Sequence, residues 1–180
     1  MTGVTFRPAA AGDAAAIAAL HVESWRTAYR GLVPDEFLAG PVERDRHELW
    51  ASRMAVDDPA RIVIKAVDAA DRMVGFTCVL RDADPAWGPL LDNLHVRPHL
   101  RGHGIGRELL RLSREWSAAA APGAPMHLWV IEDNAQARHF YDRERGEIVE
   151  RQILELTTGI MVPALRYVWR GTEPFSTDRA

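Results

Sequence analysis

A single cysteine serves all 180 residues, and Cys78 lies inside an apolar run, so neither a disulfide framework nor a cysteine-based metal site is encoded. Its expected role is a buried structural thiol. No uninterrupted apolar span is long enough to cross a membrane, and no leader combines a positive start, an apolar core and a cleavage pattern. The cytoplasm is therefore the expected compartment, with no membrane partner. Positive charge is not in excess: the formal net charge is -3 and the pI about 6.2, which argues against a broad nucleic-acid-binding surface. Neither internal repeats nor a low-complexity linker divide the chain. It reads as one domain over residues 1–170, followed by a polar tail at 171–180.

What is present is enough for a sizeable core, with 47% hydrophobic residues. Runs rich in β-branched and aromatic residues predict strands near 4–7, 61–67, 73–80, 90–96, 126–130, 148–156 and 164–169. Helical spacing is found between Asp13 and Gly31, over 42–54, after Gly104, and over 134–145. Asp13 is placed to cap the first helix, and Asp133 with Gln136 to form a capping box on the last. The prolines of 82–89 predict a loop without regular pairing, placed to shape an entrance. Along 90–96, strict alternation sets Asp92, Leu94 and Val96 on one face, with Asn93 and His95 on the other.

The chemistry concentrates after the strand at 90–96. Arg101-Gly102-His103-Gly104-Ile105-Gly106 leads into a helix with an apolar stripe of Ile105, Leu109, Leu112 and Trp116. Glycines let consecutive backbone N–H groups turn inward, and the first helical turn leaves its own N–H groups unpaired. Together they make an anion nest suited to phosphate, with Arg101 and also His103 or Arg107 as sources of charge. The alternative is a tight strand-to-helix turn and nothing more. A Walker loop is excluded because its lysine and hydroxyl are missing, and the Gly102-x-Gly104-x-Gly106 spacing does not match the dinucleotide fingerprint.

Arg101-x-x-Gly104-x-Gly106 after Leu94-His95-Val96 resembles the acyl-coenzyme A pyrophosphate motif of the GCN5-related N-acetyltransferase (GNAT) superfamily. Downstream, Asn134-x-x-Ala137-x-x-Phe140-Tyr141 resembles the family's Asn-x-x-Ala-x-x-Phe-Tyr helix. The first and last strand regions are also similar, so the resemblance covers essentially the whole chain.

This resemblance implies an α/β (α+β mixed) single-domain fold: a mixed, mostly antiparallel sheet of about seven strands, flanked by helices, with parallel strands four and five splayed apart. It implies acetyl transfer from acetyl-coenzyme A to a primary amine of a small molecule or peptide, directly in a ternary complex and without a metal. Leu94, His95, Val96, Arg101, Gly102, His103, Gly104, Ile105, Gly106, Arg107, Asn134, Ala137 and Phe140 are the implied coenzyme contacts. Tyr141 is the implied acid for the leaving thiolate, and Trp25 and Tyr29 lie on the implied acceptor wall, where packing is the stronger claim on them.

The base is more open. Leu90 stands where relatives often carry a glutamate, which leaves Asp92 as the nearest carboxylate, with His95, Glu23, Glu132 and water as alternatives. His21 and His47 read as packed or surface residues. A silent coenzyme-binding sensor or interaction module is the competing class. The resemblance also admits a homodimer.

Overall fold

The computed structural model describes residues 3–157 and 159–171. The chain runs β1 (Thr5–Pro8), α1 (Ala14–Ala28), α2 (Asp35–Ala39), α3 (Pro41–Ala55), β2 (Arg61–Val67), β3 (Met73–Asp84), β4 (Gly88–Val96), α4 (Ile105–Ala120), β5 (Met126–Ile131), α5 (Ala135–Arg143), β6 (Glu147–Thr157) and β7 (Ile160–Trp169). Short 3-10 turns precede α1 and α4. The strands form one seven-stranded sheet in the order β1-β2-β3-β4-β5-β7-β6. All pairings are antiparallel except β4 with β5. The mixed, mostly antiparallel sheet expected from the sequence is therefore present, and the polar tail after Gly171 lies outside the described residues.

Helices cover both faces. On one, Ile17, Leu20 and Trp50 of α1 and α3 pack with Phe76 and Cys78 of β3. Cys78 is fully buried, and burial pushes its thiol up to about 12, as suits a structural thiol. On the other face, α4 and α5 pack through Leu110 and Tyr141 against Leu128, Leu165 and Tyr167. Close approach of α4 requires Gly75: a Cβ there would meet the His95 carbonyl at 3.0 Å and Leu109 at 3.2 Å.

Several local expectations are corrected. Asp13 does not cap α1; its carboxylate accepts from the Ala10 N–H at 2.8 Å and from Lys65 Nζ at 2.7 Å, because the preceding chain and β2 reach it first. The buried stripe of α4 is Ile105, Leu109, Leu110, Ser113 and Ser117, with Leu112 and Trp116 only partly buried. The two serines are tolerated inside because each hydroxyl donates to the carbonyl four residues back, and Ser113 also meets Thr77 at 2.9 Å. Asn134 rather than Asp133 caps α5, its side-chain oxygen accepting from the Ala137 N–H at 3.1 Å. Gln136 is occupied instead by Arg101, at 2.8 Å.

The segment expected as the 82–89 loop mostly continues the two strands, with Asp84 pairing with Gly88 beyond an irregular stretch. Instead of shaping an entrance, its tip is fixed to β7. Arg166 donates to Asp84 at 2.9 Å, and its guanidinium lies between the rings of Trp87 and Trp129, at 5.1 and 4.4 Å.

Candidate active site

Two irregularities of β4 create the site. Its parallel ladder to β5 holds at Leu90 and His127, and beyond that the strands part as β4 continues to Val96. On its other edge, Leu91 pairs with Val79 and Asn93 with Cys78, so Asp92 is an extra residue, a β-bulge. The bulge overturns the alternation expected across it. Arg53 of α3 donates to Asp92 at 2.5 Å and contacts Asn93 at 3.3 Å, so both point to the α1–α3 face. His95 lies on that face too, meeting Ser24 of α1 at 2.8 Å.

A cavity of about 1490 Å³ occupies the gap and extends between α3 and the end of β6. Small-molecule sites are typically ~300–1,000 Å³, so this one has room for two molecules side by side. At one end lies the nest. Gly102 and Gly104 take φ of 80° and 81°, Gly104 is the N-cap residue of α4, and both line the cavity with Arg101, Gly106 and Arg107. Nothing lies within 4 Å of where a Gly102 Cβ would stand. Burial disfavours the Arg101 charge while Glu23 supports it, a balance that a bound anion would tip toward the charged form. The donor set and the open cradle fit a pyrophosphate.

The helix α5 forms one side of the gap. Ala137, Phe140 and Tyr141 line the cavity, as does the cap residue Asn134. Tyr141 is 8% exposed, and burial raises its pKa above the ordinary phenol value, so the hydroxyl keeps its proton at neutral pH.

The opposite wall comes from α1 and α3. Trp25 is buried, stacks edge-on against Tyr29 at 5.0 Å and carries the Arg46 guanidinium 4.3 Å from its ring. Both aromatic residues therefore pack and also line the cavity. Asp45 accepts from Arg46 Nε at 2.9 Å and from Thr157 of β6 at 3.3 Å, closing the wall between α3 and the β6–β7 hairpin. Behind it, Trp50 donates to His21 Nδ1 at 2.9 Å, and His21 stands 4.5 Å from His95. An indole N–H only donates, so Nδ1 must hold a lone pair and His21 is neutral. Burial, followed by the His95, Arg46 and Arg53 charges, holds it well below the ordinary histidine range. Burial with Arg101 and Arg46 likewise pushes His95 down to about 3.

The structure thus brings Leu94, His95, Val96, Arg101, Gly102, Gly104, Gly106, Arg107, Asn134, Ala137, Phe140 and Tyr141 to one cavity with Asp92, Trp25 and Tyr29. It places His103 and the Ile105 side chain elsewhere. The His103 ring lies 3.0 Å from the Arg101 carbonyl, and Ile105 is buried in the core beneath β3 and β4. Glu23 and Glu132 are held by Arg97 and Arg151. Sequence reasoning missed Arg46 and Arg53. They are seven residues apart, hence on one face of α3, and that spacing around Leu49 was the available signal. Among the described residues, no group of three histidine, cysteine or acidic side chains is placed to hold a metal, and no helix is long and apolar enough to cross a membrane.

Comparison with known proteins agrees with this geometry. The sequence profile described as the acetyltransferase (GNAT) family matches residues 17–146. The chain is 29% identical over 168 residues to the uncharacterized N-acetyltransferase YuaI of Bacillus subtilis, with 92% of each chain covered. It is 25% identical over 177 residues to the probable N-acetyltransferase Rv2775 of Mycobacterium tuberculosis, covering 96% of this chain and 98% of that one. The PaiA N-acetyltransferase of Thermoplasma acidophilum, solved with coenzyme A, superposes with a TM-score of 0.71 at 17% identity, covering 93% of this chain and 100% of that one. A GCN5-related N-acetyltransferase structure from Rhodopseudomonas palustris gives 0.73 at 19% identity, covering 94% and 97%.

Proposed function

The chain belongs to the acetyltransferase (GNAT) family and is an acyl-coenzyme A-dependent N-acetyltransferase; on that premise we propose that it transfers the acetyl group directly to a primary amine of a small molecule or peptide in a ternary complex. The observation that carries this reading is one cavity joining the nest, the parted strands and a separate wall of Trp25, Tyr29 and Asp92. Two substrates held there react as an effectively unimolecular pair.

Acetyl-coenzyme A supplies an activated thioester: the amine nitrogen forms the new C–N bond while the C–S bond breaks and the sulfur leaves as a thiolate. The nest and Arg101 hold the pyrophosphate, with Arg107 beside them. The β5-facing backbone of 94–96, freed by the splay, is the hydrogen-bonding edge for the extended arm, and Ala137 and Phe140 border it. Asp92, its carboxylate oriented by Arg53, attracts the ammonium group and takes its proton directly or through water. Tyr141 gives a proton to the leaving sulfur and recovers one from solvent, which also takes the second proton the nitrogen loses on becoming an amide.

Calorimetric titration with acetyl-coenzyme A, followed by a free-thiol assay over a panel of amines, tests the reading. Saturable binding with amine-dependent thiol release is the expected result. Binding without release from any amine would assign the chain to a coenzyme-sensing role instead.

A further inference from the structure

We propose that the acceptor is an amine that also carries a carboxylate, a free amino acid, and that Arg46 on the acceptor wall recognises the carboxylate; this rests on the acetyl-transfer reading above. Arg46 is 8% exposed yet lines the cavity. A guanidinium so enclosed has lost most of its water and needs hydrogen-bond acceptors for its N–H groups. Its Nε and Nη2 both donate to one oxygen of Asp45, and among the described residues Nη1 has no hydrogen-bond partner. The group does not swing freely, because it is held by Asp45 and stands 4.3 Å from the centre of the Trp25 ring. Its charge is felt at Tyr29 and His95, which line the same cavity.

The second arginine on this face of α3 behaves similarly. Arg53 uses Nη1 on Asp92 and Asn93 and, among the described residues, keeps its Nε and Nη2 without partners, with its guanidinium 5.4 Å from the Trp50 ring. An acceptor that fills the cavity displaces the water serving these donors, and only an acceptor with oxygens to offer replaces it. A carboxylate suits a guanidinium because it is planar, charged and presents two acceptor oxygens.

A polycation is the opposite possibility, since acidic residues also line the wall. Each of those acids already has a basic or hydroxyl partner or lies exposed, and Asp92 is left to the single reacting ammonium. Asp45 is held by Arg46 and Thr157, Asp92 by Arg53, and exposed Glu155 accepts from the Gly159 N–H at 2.8 Å. Exposed Glu48 lies 3.8 Å from Arg44. The unmet need on this wall is for an acceptor.

The test compares thiol release by the full chain with free amino acids, their methyl esters and spermidine. The ester retains the amine and side chain but removes the negative charge. Free acids are expected to exceed their esters in kcat/KM by about tenfold or more, the scale of a charge-assisted hydrogen bond. Arg46→Gln is expected to bring that ratio close to one with acetyl-coenzyme A affinity unchanged, and Arg46→Lys to restore part of it. Esters or spermidine turning over as well as free acids, or coenzyme binding with no release from any amino acid, overturns the inference. So does an undiminished ratio in a folded Arg46→Gln. If that variant does not fold, the wild-type comparison and Arg46→Lys still decide. Failure to bind acetyl-coenzyme A at all would instead overturn the transfer reading beneath it.

Discussion

At the scale of single residues, the parts suited to proton transfer are separated by their surroundings. Tyr141 is buried and its pKa raised, so the phenol stays protonated and able to donate. Tyr141→Phe is expected to bind acetyl-coenzyme A normally and lose roughly 100-fold in kcat, the lower range for a positioned acid. Normal turnover in that variant would remove the acid role. His21 and His95 are neutral when folded, whereas in the unfolded chain each takes a proton below about pH 6.5. The unfolded state then binds more protons, so stability is complete above that pH and declines as pH falls, through the His95 value of about 3 for its share. Urea midpoints measured from pH 8 to pH 4 should fall accordingly, and less steeply in His95→Gln. An equally steep fall in that variant would exclude His95 as a source.

At the scale of elements, the site depends on how strands and helices end. The nest needs a left-handed residue at the start of α4, and Gly104 supplies it at φ 81°. Gly104→Val places a β-branched side chain in that region, where even an ordinary residue costs ~1–2 kcal/mol. Calorimetry should therefore show weakened acetyl-coenzyme A binding in a protein that still folds; equal affinity would mean that the nest does not hold the coenzyme. The bulge at Asp92 acts on the other side, turning a carboxylate toward α3 where simple pleating would send it toward α4. That one extra residue sets the face of the sheet on which the Asp92 carboxylate stands.

At the scale of the whole molecule, a sheet that parts in its middle needs ties elsewhere. Arg166 of β7 is one, since it is buried, sits between Trp87 and Trp129 and joins Asp84 at the β3–β4 tip. Its Nε also lies 2.7 Å from Glu150 of β6, an ion pair rather than an aligned hydrogen bond. It therefore links both halves of the sheet across the splay. Removing one partner of a fully buried ion pair costs ~3–5 kcal/mol. Asp84 and Glu150 retain some water, so Arg166→Leu is expected to lose about 2 kcal/mol in urea unfolding, with Trp129 fluorescence altered. A loss within error of zero would mean the sheet is held without this tie.

Much of this was legible in the chain. The glycine turn is local, involving residues close in sequence and a helix that follows at once, so its geometry could be read from spacing alone. The same holds for the α5 pattern ending in Tyr141, and for β2, whose bounds match the apolar run at 61–67. What spacing could not supply was anything set by contact between distant segments. The Asp92 bulge arises from pairing with β3, the burial of Ser113 from a hydroxyl partner on Thr77, and the release of Gln136 from capping by an arginine 35 residues away. Arg46 and Arg53 were ordinary charges on a helix until folding laid them over Trp25 and Trp50. The sequence by itself determined the family and, through that resemblance, the kind of sheet, along with the glycine turn before α4, because the motifs that carry them are short runs of neighbouring residues. The tertiary structure alone decided the wall built by α1 and α3, because its electrostatics depend on which charges from distant segments meet there.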